Sequence, residues 1–134
     1  GFQHIIVKVN DHKIHLYNTH LDAGNSIDDR IARENQVSHI IKYILDNSNG
    51  YPLILSGDLN IDYLDDKESL TLNRLMNTLN LNIIDWASKD LYKKDALDFI
   101  LYRGVNIVSE EFGIDSNLMG LSDHPPIQAS FQIK

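Results

Sequence analysis

Tyr51-Pro52-Leu53-Ile54-Leu55-Ser56-Gly57-Asp58-Leu59-Asn60 is a short apolar run that ends on a glycine and then delivers an aspartate and an asparagine. Preceded by Asn49-Gly50 and closed by Gly57, it reads as a buried strand whose last residues are polar. Three other short polar motifs accompany it: Asn18-Thr19-His20-Leu21, Leu97-Asp98-Phe99-Ile100 and Ser122-Asp123-His124-Pro125. Two of them also sit where a strand-like run ends. A sheet whose strands all bring an Asp, Asn or His to one edge gathers those side chains into a single cleft, however far apart they are in sequence.

The rest of the chain sets an α/β pattern around that strand. Phe2 to Val9 and Lys13 to Thr19 read as strands joined by the polar turn Asn10-Asp11-His12. In the second, Ile14 and Leu16 alternate with Lys13, His15 and Tyr17, which predicts one core face and one wetter face. Ser26 or Asp28 is placed to cap a helix with Ile31, Ile40, Ile41, Ile44 and Leu45 near helical spacing, stopped by Asn49-Gly50. Arg33 and Gln36 fall on this helix as residues that brace the preceding loop. A second helix is predicted over Lys67 to Leu79, with Leu72, Leu75, Met76 and Leu79 inward. Ile83 to Trp86 reads as a short strand or turn; Ala96 to Tyr102, Val105 to Phe112 and Ile127 to Ile133 read as further strands.

Taken singly, each motif has an ordinary reading, since an Asp after a glycine at a strand end is usually a turn residue or a helix cap. Their order is what is specific. Asn18-Thr19-His20-Leu21-Asp22-Ala23-Gly24, then Arg33 and Gln36, then the GDLN, LDFI and SDHPPI stretches together resemble the endonuclease/exonuclease/phosphatase superfamily. That group includes DNase I-like nucleases, neutral sphingomyelinases and inositol polyphosphate 5-phosphatases. The resemblance implies a DNase I-like α/β sandwich of two packed, mainly antiparallel sheets flanked by helices, with residues 1–134 covering the C-terminal half of the domain. The N-terminal half is then an expected partner. In that family the divalent metal is held chiefly by a Glu, and often an Asn, from N-terminal strands, and neither can be assigned here. The chain reads as a piece of a longer domain, with a natural remnant as the alternative.

The same resemblance assigns chemistry residue by residue. Hydrolysing a phosphoester needs a water in line with the leaving oxygen, a group to take its proton, and positive charge on the phosphoryl oxygens. Asp58 is the candidate that orients and deprotonates water. Asn60 would point the same way if the backbone stays extended, its amide donating to a phosphoryl oxygen. His124 would contact the scissile phosphate, with Asp98 holding its other nitrogen. His20 matches a histidine used near the leaving group, and its presence fits the DNase I, sphingomyelinase and 5-phosphatase branches. Asp123 matches a residue close to the metal, Mg²⁺ by implication or else Mn²⁺ or Ca²⁺, although one carboxylate alone makes a poor Mg²⁺ site. His4, His12, His15 and His39 read as exposed or packing histidines.

Two other chemistries fail on the residues. Asp58-Leu59-Asn60-Ile61-Asp62 starts like a calcium loop, but Tyr63 and Ser69 stand where an EF-hand needs Gly and Glu. No G-x-S-x-G elbow accompanies His124, which removes a serine hydrolase.

Composition narrows the substrate. The 43% hydrophobic content suits a globular domain, and the formal net charge is −7 with Lys and Arg scattered apart from Lys93-Lys94. A protein gripping long DNA through its phosphates needs a basic stripe, so extended nucleic acid is disfavoured. The apolar stretch Leu118-Met119-Gly120-Leu121, just before Ser122-Asp123-His124, leaves a membrane surface or lipid substrate open. Absence of cysteine excludes disulfides and thiolate metal sites but leaves the compartment undetermined, and no run approaches the ~20 apolar residues of a membrane span. The sequence thus points to a metal-dependent phosphodiesterase acting on a small or lipid phosphodiester by direct attack of water. A DNase-like nuclease and a non-catalytic binding remnant are the alternatives.

Overall fold

A computed structural model describes residues 1–84, 97–112, 122–124 and 126–133. Asp85 and Trp86, Lys93 and Lys94, Ala96, Pro125 and the apolar stretch 118–121 lie outside the described residues.

Strand β1 (Phe2–Val9) and strand β2 (His12–His20) form an antiparallel hairpin in which Val9 pairs with His12. Asn10 and Asp11 both adopt left-handed backbone, with φ of 47° and 67°. Two successive residues in that region make the primed turn whose twist matches the flanking strands, and short polar side chains tolerate it best. His12 therefore starts the strand instead of ending the turn.

Helix α1 (Ile27–Ser48) opens on a reciprocal cap: the Ser26 hydroxyl accepts from Asp29 N at 3.2 Å, and the Asp29 carboxylate accepts from Ser26 N at 2.8 Å. Its buried residues are Arg33, Val37, Ile40, Ile44 and Ser48, which steps of three and four keep on one face. Ile31 and Leu45, which share the apolar spacing, are 50% and 39% exposed. Two of the five buried positions are polar, so hydrophobicity alone marks the face poorly.

Strand β3 (Leu53–Asp58) lies parallel to β2, the crossover being made by α1. Helix α2 (Asp66–Leu79) is capped by Asp65, whose carboxylate accepts from Lys67 N and Glu68 N at 2.8 and 3.0 Å. It buries Leu72, Leu75 and Leu79, with Met76 packed against the same cluster, as the periodicity predicts. Strand β4 (Asn82–Ile83) and strand β5 (Asp98–Arg103) complete a sheet of order β1-β2-β3-β5-β4, in which only β2 and β3 are parallel.

One face of this sheet packs on the helices. Tyr17, Leu53, Leu55, Phe99 and Leu101 meet Val37, Ile40, Ile44, Leu72, Leu75 and Leu79, each fully buried side chain of this size contributing ~1.5–3 kcal/mol. The face of β2 carrying His15 and Tyr17 is thus the helix-facing one, at 2% exposure for each, and not the wetter face. Polar atoms can enter because Ser48, at the end of α1, meets both: its Oγ lies 2.5 Å from His15 Nδ1 and is hydrogen-bonded to the Tyr17 hydroxyl.

Gly104, at φ 69°, turns the chain from β5 into strand β6 (Val105–Phe112), which pairs antiparallel with strand β7 (Ile127–Ile133) in a second sheet. Tyr102 and Phe131 join the two sheets with ring centroids 5.3 Å apart. This contact lies on the face of the larger sheet turned away from the helices, where Ile5 is 58% exposed. Among the described residues no helix is long and apolar enough to cross a membrane.

Candidate active site

The register of three adjacent strands carries the site. His20 of β2 pairs with Asp58 of β3, and Asp58 pairs with Asp98 of β5. Paired residues in a sheet project from the same face, so these three side chains form one row across the ends of their strands. His20 Nε2 lies 3.5 Å from Asp58 Oδ2.

His124 closes the group from outside the sheet. Its Nδ1 donates to Asp98 Oδ2 at 2.5 Å and lies 4.0 Å from Asp58 Oδ2. The turn that presents it is local: Ser122 Oγ accepts from His124 N at 3.0 Å. The hydrogen bond to Asp98 raises the His124 pKa above its ordinary value; burial opposes this, while the charges of Asp98, Asp58 and Asp123 add to it.

Burial grades the row. The Asp58 side chain is 14% exposed and that of His20 is 66% exposed, which puts the carboxylate inside and the imidazole at the mouth. Asp58 Oδ1 accepts from Asn60 N at 2.9 Å, leaving Oδ2 as the oxygen that faces both histidines.

Gly57 makes this arrangement possible. Its φ is 137°, and a Cβ there would stand 1.9 Å from the carbonyl oxygen of Thr19. Only a glycine lets β3 come so close to β2 directly beside Asp58 and His20.

Asn60 differs from the sequence expectation. Its backbone is left-handed at φ 49°, not extended, and its side-chain Nδ2 donates to Leu21 O at 3.1 Å. The amide therefore ties the loop after β3 to the loop after β2. A local bond from Asn60 N to the Asp58 side chain favours that turn over continued strand, which the GDLN pattern alone does not reveal.

Asp123 is exposed and falls outside the compact group. Ligand atoms of Asp58, Asp98 and His124 all lie within 4.8 Å of one another. Two carboxylates suit a hard divalent cation, while His124 Nδ1 is already engaged with Asp98, so the carboxylate oxygens are the donors that fit.

Two features escaped the sequence reading. Glu68, at the start of α2, is 7% exposed and is bonded to Arg33, which is 2% exposed. An acidic residue in a first helical turn carries no signal that distinguishes a buried ion pair from an ordinary dipole partner. The second is a polar cluster in which His4 Nε2 lies 2.9 Å from His15 Nδ1, beside Ser48 and Tyr17. Arg33 and Gln36 do brace the loop after β2: Arg33 donates to Asp22 O and Gly24 O, and Gln36 Oε1 accepts from Asp22 N.

No family model matches the sequence, and no curated protein matches it either. Solved structures do match. The human Nocturnin catalytic domain with bound sulfate anion superposes with a TM-score of 0.74 at 20% identity, over 99% of this chain and 52% of that one. An endonuclease/exonuclease/phosphatase from Bacteroides vulgatus gives 0.69 at 22% identity, over 93% and 51%. Sphingomyelinase C from Streptomyces griseocarneus gives 0.57 at 19% identity, over 85% and 48%. The chain spans about half the length of these structures. The described sheets and helices accordingly share the fold of these endonuclease/exonuclease/phosphatase structures over about half of their length.

Proposed function

We propose that this chain is the C-terminal half of a metal-dependent phosphoester hydrolase domain, cleaving a small or lipid phosphodiester by direct attack of water. The observation that carries the reading is the His20–Asp58–Asp98 row with His124 bonded to Asp98. It supplies a carboxylate for a water proton and an imidazole held for a phosphate within one compact group.

In this mechanism Asp58 Oδ2 orients the water and takes its proton as the water oxygen bonds to phosphorus. The bond from phosphorus to the leaving oxygen breaks on the opposite side. His124 has Nδ1 committed to Asp98, so Nε2 is the nitrogen that meets the phosphoryl group, and the bond to Asp98 with the neighbouring carboxylates favours the protonated imidazole. His20, exposed at the strand end, is the group that would give the departing oxygen its proton. Asn60 serves by holding the two loops together, since its amide nitrogen is spent on Leu21 O. Mg²⁺, or Mn²⁺ or Ca²⁺, bound through the Asp58 and Asp98 carboxylates and completed by ligands from the N-terminal half, would neutralise charge on the phosphoryl oxygens.

A net charge of −7 favours a compact phosphodiester over long nucleic acid. The test uses the complete protein and bis-p-nitrophenyl phosphate with Mg²⁺. Metal-stimulated cleavage should be lost in Asp58→Ala and in His124→Ala; undiminished rates in both would overturn the assignment. Salt-sensitive DNA binding would favour a nuclease, and release of phosphocholine from sphingomyelin a lipid enzyme.

A further inference from the structure

We propose that Arg33 and Glu68 form a positioning pair that sets His20 against Asp58, an inference that rests on the phosphoesterase reading. The sheet ladder between β2 and β3 ends at the His20–Asp58 row. Beyond it the loop that follows His20 is held from the helices. Arg33 Nη1 donates to Asp22 O at 3.0 Å and to Gly24 O at 2.8 Å, and Arg33 Nη2 donates to Glu68 Oε1 at 2.7 Å. The other Glu68 oxygen accepts from Asp62 N at 2.7 Å, in the loop that follows Asp58 and Asn60.

One guanidinium and one carboxylate thus join the main chain just past His20 to the main chain just past Asp58, through α1 and α2. The two anchored strand ends differ in need. Both main chains are held on either side, His20 between Gly1 and Asp58, but the Asp58 side chain is 14% exposed and fixed by Asn60 N, whereas that of His20 is 66% exposed at the end of β2. The pair therefore acts chiefly through His20.

Arginine is required for geometric reasons. Its planar fork serves three acceptors at once, two carbonyls and a carboxylate, whereas a lysine ammonium on a similar stem is a single point. Both partners are buried, so water does not stand in for either; Arg30 Nε, 3.1 Å from the same Glu68 oxygen, adds a second cation there but makes no bond to the loop carbonyls that Arg33 holds.

The test is a kinetic cycle in the complete protein, with bis-p-nitrophenyl phosphate and Mg²⁺. Arg33→Lys should lower kcat about 10²-fold, the scale of a 1 Å misplacement, with KM nearly unchanged and the far-UV circular dichroism retained. Glu68→Gln, a milder change, should move kcat the same way by a smaller factor. In a His20→Ala background, Arg33→Lys should cost no more than about threefold further, because the group it positions is gone. Full additivity in the double variant, unchanged kcat in both single variants, or loss of the helical signal in both would each overturn the pair. Asp58→Ala separates the two levels: full activity there removes the hydrolase reading, while an inactive Asp58→Ala beside a fully active Arg33→Lys removes the positioning pair alone.

Discussion

Two histidine clusters sit about one strand length apart on opposite faces of the same sheet, and they have opposite chemistry. At the strand ends His124 faces carboxylates, keeps partial exposure and has its pKa raised by the bond to Asp98. On the helix side His15 is 2% exposed among Ser48, His4 and Tyr17. Burial lowers its pKa, and the charges of His4, Lys13 and Arg103 lower it further. His15 Nδ1 meets both Ser48 Oγ and His4 Nε2, and Ser48 in turn meets the Tyr17 hydroxyl, so the cluster is a chain of neutral partners with no carboxylate in it. An anionic partner and an open side leave one imidazole available to a ligand, while neutral partners and a closed side make the other a packing residue.

Substitution on the two sides should separate activity from stability. Asp58→Asn in the complete protein is expected to lower the phosphodiesterase rate by about 10³-fold with little change in melting temperature, within the range for loss of a positioned base. His15→Leu should do the reverse, leaving the rate near wild type while Ser48 and His4 lose a buried partner. Parallel effects of the two substitutions on rate would erase the contrast.

Gly57→Ala tests how the active end is built. A Cβ facing the Thr19 carbonyl at 1.9 Å, at a φ of 137°, must push β2 and β3 apart. The expected cost is about 3 kcal/mol or more in denaturant unfolding, with activity lost alongside it. An unperturbed midpoint would mean that the strands part freely at this point.

On the buried side, His15→Leu or Ser48→Ala should cost roughly 1–3 kcal/mol, the penalty of leaving one buried polar group unpaired. Urea midpoints measure it. Losses that simply sum in the double variant would show that the hydrogen-bond chain is not a unit.

The smallest effect is read in pH. Against an ordinary imidazole value of about 6.5, His124 should titrate higher and His15 lower in ¹³C- or ¹⁵N-detected NMR. The linked stability follows with opposite signs. The contribution of His124 is fully present below 6.5 and fades as pH rises through its folded value; that of His15 is fully present above 6.5 and fades as pH falls through its folded value. Both imidazoles titrating on the same side of 6.5 would contradict the assignment of their surroundings.

Much of the grouping of His20, Asp58, Asp98 and His124 was legible in the sequence because a buried strand closing on Gly57-Asp58 leaves few places for its polar end. The residues gathered by the row are named by the motifs, and strand alternation puts them on one face. Alternation failed for His15 and Tyr17, since a face can be buried while polar when a helix supplies a hydroxyl, and Ser48 comes from far along the chain. The Arg33–Glu68 bridge was hidden for the same reason, since its partners meet only in the folded chain, whereas the turn at Asn60 rests on a local bond to the Asp58 side chain that competes with continued strand. On α1 the buried face includes Arg33 and Ser48, which blurred the apolar period.

The pH–rate profile of phosphodiester cleavage by the complete protein, compared between wild type and Asp98→Asn, probes the Asp98–His124 contact itself. Removing the carboxylate charge should shift the alkaline limb set by His124 to lower pH and reduce kcat with KM little altered. An alkaline limb at the same pH in both proteins, with kcat intact, would show that Asp98 does not hold His124 for catalysis.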